Sequence, residues 1–249
     1  VPTTQEEKVH AGALWWPLGL IVSLFFLWGA LNNLNDVLIK QFTKAFTLQD
    51  WEAGLVQSAF YVGYFVGGLP AAKVSREYGY KITVIVGLAF FSVGCLLFFP
   101  VSRCGDYHLF LVCLYLIAFG LAFLECSANP WVVQLGEQHR AGAGTLALNV
   151  AQAFNPIGSV LGVLIGRFFI LGGEELTAQA SMDPAAMERY QRQESEAVGA
   201  PYLAIGIVVV VLAILFILTR FPGGSIEDDG SAKEPMTFGI LGNTALRLA

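Results

Sequence analysis

Charge is scarce in this chain. Asp, Glu, Lys and Arg make up 13% of its 249 residues, about half the share of a soluble globular domain. The net charge of −5 comes without any basic run, so no nucleic-acid partner is read. Histidine is rarer still, with three residues. His10, His108 and His139 stand apart at segment ends, and neither an HExxH pattern nor a nucleophile–histidine pairing occurs. An enzyme reading therefore has no support. The four cysteines, Cys95, Cys104, Cys113 and Cys126, lack metal-ligand spacing. Three of them sit in apolar runs, where a small polarizable side chain is ordinary filler, so no disulfide, metal or cofactor is read.

Hydrophobic residues reach 55% of the chain and the mean hydropathy is positive, which together describe a polytopic membrane protein. Apolar runs of roughly twenty residues, the length that crosses a bilayer, occur near 15–41, 51–72, 82–100, 108–134, 145–171 and 201–221. The expected organisation is a cytoplasmic segment at 1–14 and a six-helix transmembrane domain at 15–221. An acidic outer loop fills about 172–200, with a short helix near 184–193. A linker follows at 222–249, PGGSIEDDGSAKEP and beyond, leading toward a missing second half. The first run has no small-residue cleavage pattern and is expected to stay as an anchor. Lys8, Lys73, Arg76, Lys81, Arg140, Arg220, Lys233 and Arg247 fall on the amino-terminal side, most of the 14 basic residues, which places the amino terminus in the cytoplasm.

The stretch FGLAFLECSANPWVVQLG embeds a carboxylate, Glu125, in sequence otherwise written for hydrocarbon. An acidic residue at mid-span costs about 2.5–3.5 kcal/mol, against about 0.3–0.6 recovered per Leu, Ile, Phe or Val. An intramembrane acid is therefore a functional-site hypothesis by default, the alternative being a structural pair with a neighbouring helix. A second embedded acid, Asp36, shares a helix face with Phe25, Gly29 and Asn32, and the same spacing in the fourth run joins Glu125 to Ala118, Ala122 and Asn129. Counted along their spans, the two acids are expected at different depths, as separate stations.

A shift of 93 positions lays Asn32 on Glu125, Asp36 on Asn129 and Gln41 on Gln134, while a shift of 95 lays Gln57, Gly63 and Gly67 on Gln152, Gly158 and Gly162. This pattern reads as a three-helix repeat. Because three is odd, the second copy runs through the membrane in the opposite sense, as in the inverted repeats of secondary transporters. The fold class is all-α, six transmembrane helices as two inverted three-helix repeats. Small residues at every fourth position, Ala59, Gly63, Gly67 and Ala71 in one helix and Gly158, Gly162 and Gly166 in another, read as packing stripes. Gln152, Asn155 and Ser159, with Asn149 nearby and Pro156 loosening the backbone, form a polar face. Interhelical hydrogen bonding is one reading of that face and a sugar-like ligand the other.

SLFFLWGALNNLNDVLIKQF, GLVQSAFYVGYF, LECSANPWVVQLG and LNVAQAFNPIG together resemble the major facilitator superfamily, and within it the L-fucose:proton symporter family, over nearly all of the chain. The resemblance implies the amino-terminal half of a carrier that moves a monosaccharide such as L-fucose with a proton, by alternating access, across a bacterial-type inner membrane. It further implies proton coupling at Glu125 and Asp36, and sugar contacts at Glu125, Gln152, Asn155, Asn32, Asn129 and Asn149. The partners implied are the sugar, the proton, the lipid bilayer and a second six-helix half. One departure is AKVSREYGYK, which lacks an acid at the usual spacing before Gly79 in the general superfamily signature and puts the cytoplasmic gate contacts in doubt. Alternatives are a carrier half for another small solute or a sodium-coupled sugar, and a six-helix channel or scaffold. Sodium sites favour hydroxyls and unwound carbonyls, and channels favour rings of equivalent faces, whereas the acids here neighbour amides on non-equivalent helices.

Overall fold

In a computed structural model the described residues are 4–46, 48–170, 183–219 and 221, and they are almost entirely helical. The stretch read as a linker, 222–249, lies outside them. In chain order the elements are α1 (Thr4–Ala45), α2 (Asp50–Cys104), α3 (Tyr107–His139), α4 (Gly144–Ile165, continued by a wider π turn, Gly166–Ile170) and α5 (Pro184–Leu218). Among the described residues, five helices are long and apolar enough to cross a membrane. One of them is long enough for two crossings. A straight helix of 55 residues would extend about 80 Å, far beyond a hydrocarbon core of about 30 Å.

The break in α2 falls at Gly79, whose φ of 81° and ψ of 170° suit a residue without a Cβ. Around it Lys73, Arg76, Glu77 and Tyr78 are exposed, a polar patch where the chain reverses. The connection between the second and third crossings is thus a single-residue break, and the spans meet closely where an open loop was expected. Just past the break Lys81 Nζ reaches the carbonyls of Ile217 (3.2 Å) and Thr219 (2.8 Å). A cation there satisfies carbonyls that the end of α5 leaves without helical partners.

A second difference concerns the acidic segment. The last crossing was expected to begin at 201, after a solvated loop holding only a short helix near 184–193. Helix α5 instead starts at Pro184 and runs through Pro201 without interruption, and residues 171–182 lie outside the described residues. The reason is packing. Tyr190, Glu194, Ser195, Val198 and Gly199 are buried. The Gln41 side-chain amide donates to the Glu194 carbonyl at 3.0 Å and also to its carboxylate. Tyr202 stacks on Phe98 with ring centroids 4.1 Å apart. A face with such contacts keeps its helical turns when α1 and α2 lie beneath it.

The glycine stripes decide how the helices pair. A Cβ on Gly158 or Gly162 of α4 would overlap backbone of α1, at Phe26 and Ala30 respectively. A Cβ on Gly63 would lie 2.6 Å from the Tyr115 carbonyl oxygen of α3, and one on Gly67 2.9 Å from that of Phe119. Helices come this close only where small residues allow it. The pairing is crosswise: the fifth crossing packs on the first as the second packs on the fourth, so the two pairs are equivalent to each other, as an inverted three-helix repeat requires. Ser159 belongs to this seam, since its hydroxyl donates to the Gly29 carbonyl at 3.3 Å.

Candidate functional site

Packing α4 against one side of α1 leaves the other side free to line a cavity. On α1 the spacing i, i+4, i+7 places Trp28, Asn32 and Asn35 on one stripe, with Asn33 and Asp36 flanking it. On α2 the same spacing joins Gln57, Tyr61 and Tyr64. Helix α3 contributes Glu125. Trp28, Asn32, Asn33, Asn35, Asp36, Phe60, Tyr61, Tyr64 and Glu125 line a space of about 390 Å³, within the range of small-molecule sites at about 300–1,000 Å³. A much narrower crevice of about 10 Å³ lies between Leu24, Phe25, Leu121, Leu124, Ala128 and Asn129, and it shares Trp28 and Glu125 with the first. Its size is roughly that of one water molecule.

The lining divides its labour by chemistry. Three asparagine amides offer donors and acceptors, two carboxyls offer exchangeable protons, and four aromatic rings offer flat apolar faces. Among the described residues, no lysine or arginine pairs with Asp36 or Glu125. Asp36 is exposed to the cavity and Glu125 is half-buried. Both acids therefore open onto one space, although counting along their helices suggested separate stations.

The expected site residues sort into three groups. Glu125, Asp36 and Asn32 line the main cavity. Asn129 lines the narrow crevice, and its amide donates to the Glu125 backbone carbonyl at 3.3 Å, so it supports the acid's helix turn without touching the carboxyl. Asn149, Gln152 and Asn155 line neither space. Asn155 is held where a Cβ on Gly29 would meet its carbonyl, while Asn149 and Gln152 are exposed on the flank of α4. Trp28, Asn33, Asn35, Phe60, Tyr61 and Tyr64 were not anticipated in the sequence. The heptad-like stripe Gln57–Tyr61–Tyr64 was the available signal for the α2 face.

Apolar membrane-crossing helices around a polar, acid-bearing cavity define a multi-pass membrane protein with an embedded solute-sized site. A family profile described as Major Facilitator Superfamily matches residues 17–177, and the chain belongs to that family. It is 40% identical over 221 residues to an L-fucose-proton symporter of Escherichia coli (strain K12), covering 88% of this chain and 50% of the relative. It is 34% identical over 229 residues to a glucose/galactose transporter of Brucella abortus biovar 1, covering 92% of this chain and 50% of the relative. The crystal structure of a Major Facilitator Superfamily transporter, FucP, in the outward conformation superimposes with a TM-score of 0.78 at 38% identity, over 94% of this chain and 56% of that one. The chain spans about half the length of the curated relatives it matches.

Proposed function

We propose that this chain forms the amino-terminal half of a proton-coupled monosaccharide carrier of the inner membrane, with its amino terminus in the cytoplasm and L-fucose or a related hexose as the solute. The observation that carries the reading is the single cavity in which two carboxyls, Asp36 and Glu125, with no basic partner among the described residues, face asparagine amides and aromatic rings. A sugar ring presents hydroxyls on its edge and C–H groups on its faces. Amides match the first and aromatic faces the second. A carboxyl that is not tied to a cation is free to take up and release a proton as the cavity opens to either side of the membrane.

The exposed amides of α4 fit the same picture. Polar groups facing hydrocarbon are costly and normally face a cavity or another helix. Asn149 and Gln152 therefore mark the flank of α4 that fronts the second half and its share of the solute path. The amino-terminal half also supplies only one of the two bundles that rock against each other in alternating access.

The test is proton uptake. In vesicles containing the carrier assembled from this chain and the second half that its relatives possess, adding L-fucose is expected to drive proton entry in step with sugar entry. Glucose and galactose serve as the alternative solutes. Sugar entry without proton movement would refute the coupling, and no response to any of the three would refute the sugar reading. Gln152→Ala and Asn155→Ala are each expected to weaken sugar binding roughly five- to hundredfold, the worth of one buried hydrogen bond of about 1–3 kcal/mol. Unchanged affinity in a titration would assign both amides to helix packing.

A further inference from the structure

The lining of the main cavity is sorted by helix. Helix α1 supplies Trp28, the three asparagine amides and the carboxyl of Asp36, and α3 supplies Glu125. Helix α2 supplies Phe60, Tyr61 and Tyr64, three rings with no amide or carboxyl among them. A solute in this space of about 390 Å³ therefore meets hydrogen-bonding groups on one wall and aromatic rings on another. A solute whose own surface is divided in the same way is held in a preferred orientation.

The rings are not equivalent. Tyr61 is 59% exposed and Phe60 only 5%. Trp28 and Tyr64 are half-buried, and Trp28 also closes the narrow crevice. Phe60 touches both tyrosines: it stacks on Tyr64 with centroids 6.5 Å apart and meets Tyr61 at 5.8 Å with the ring planes at 86°. A buried ring set perpendicular to Tyr61 fixes the plane of that ring and leaves most of it uncovered. Tyr61 also shares a stripe of α2 with Gly68, at i and i+7. The Gly68 carbonyl accepts from the thiol of Cys126 at 3.9 Å, the residue after Glu125. The stripe that carries Tyr61 thus turns toward the part of α3 that bears the acid.

We propose that Tyr61 is a specificity-determining residue of the cavity, its uncovered ring carrying the apolar face of the bound sugar, and that Phe60 is a positioning residue fixing the plane of that ring. The inference rests on the sugar-carrier reading and adds to it the configuration of the sugar. The face of an aromatic ring is negative and attracts weakly positive C–H groups, so C–H groups gathered on one face of a sugar stack best. In a galacto-configured hexose, such as L-fucose or galactose, the axial hydroxyl at carbon 4 stands on one face and leaves the C–H groups of carbons 3, 4 and 5 together on the other. In the gluco-configured epimer that hydroxyl is equatorial, and carbon 4 no longer adds its C–H to the same face. Tyr61 therefore favours galacto- over gluco-configured sugars and leaves the hydroxyl edge to the amides of α1.

The experiment measures equilibrium binding of two pairs of carbon-4 epimers to the assembled carrier, L-fucose with 6-deoxy-L-glucose and galactose with glucose. In whichever pair binds, the unmodified carrier is expected to hold the galacto sugar more tightly. Tyr61→Leu should weaken the galacto sugar roughly two- to tenfold, the worth of one aromatic contact, and the gluco epimer less, so that the ratio between them narrows. Tyr61→Phe keeps the ring and should restore the ratio. Phe60→Leu should narrow it too, because the ring of Tyr61 loses its prop. The ratio compares two sugars on one preparation, so it is unaffected by the fraction of protein that folds. A gluco epimer bound as tightly as the galacto sugar by the unmodified carrier would overturn the inference. So would a Tyr61→Leu carrier with an unchanged ratio, which would assign the ring to contact with the second half. The sugar-carrier reading survives either result. If none of the four sugars binds, both fall together.

Discussion

Glu125→Gln is expected to abolish sugar accumulation driven by a pH gradient in the assembled carrier while leaving sugar-for-sugar exchange intact. Glutamine keeps the shape and hydrogen-bonding edges of a protonated carboxyl but has no proton to exchange. One proton moving down one pH unit supplies about 1.4 kcal/mol, enough for a tenfold concentration of a neutral sugar when the two are coupled one to one. A carrier locked in the protonated form should let the ratio fall to unity. Glu125 is singled out because it is half-buried, lies where the main cavity meets the narrow crevice and has no basic partner among the described residues. Asp36→Asn should also lower accumulation, with less effect on affinity, because Asp36 is exposed at the wall of the same cavity. The two acids line one space. Accumulation measured against an imposed pH gradient, in parallel with counterflow exchange, separates the outcomes. If the Glu125→Gln carrier still concentrates sugar, the proton rides on another group and Glu125 returns to a structural role.

The sequence made the acids legible because hydrocarbon is an unforgiving background. A carboxylate in a run of Leu, Phe and Ala stands out at once, and Asp36, Asn32 and Glu125 all reach the cavity. The crossings were equally legible from length and apolar content. The aromatic wall was not. Phe60, Tyr61 and Tyr64 are the residues that a lipid-facing helix also carries, and only the packing of α2 against α3 through Gly63 and Gly67 shows which edge of the stripe turns inward. The amides of α4 show how far spacing carries: it marks a polar face, but what that face lines depends on what lies opposite, and Asn149 and Gln152 are exposed while the glycine stripe of Gly158 and Gly162 turns to α1. The short helix read near 184–193 falls at the start of α5, but its continuity with the last crossing was hidden by composition, because acidic residues and Pro201 read as loop until Gln41 and Ser102 are seen beneath them.

Gly158→Val is expected to remove the folded protein from detergent extracts, and Gly158→Ala to lower its thermal midpoint. A Cβ at this position would overlap the backbone carbonyl of Phe26. No rotamer relieves a clash with main chain, so α1 and α4 must separate along the seam that Gly29, Ser159 and Gly162 share. Overpacking of this kind costs typically about 1–3 kcal/mol, and in a bilayer no hydrophobic drive pulls the two separated helices back together. For a domain of this length each kcal/mol corresponds to about 2–4 °C in the midpoint. The comparison is Gly68→Ala. Gly68 also lies within a crossing, but a Cβ there meets nothing within 4 Å. Replacing an unconstrained helical glycine by alanine is neutral or stabilises by about 0.5–1 kcal/mol, so the two alanine variants should shift the midpoint in opposite directions. Thermal unfolding followed by size-exclusion chromatography reads both. The same displacement of α1 would move Trp28, Asn32 and Asp36, so Gly158→Ala should also weaken sugar binding by more than its loss of stability predicts at a temperature where it remains folded. Equal midpoints for Gly158→Ala and Gly68→Ala would show that the seam between α1 and α4 yields without cost, and that the cavity's shape does not depend on it.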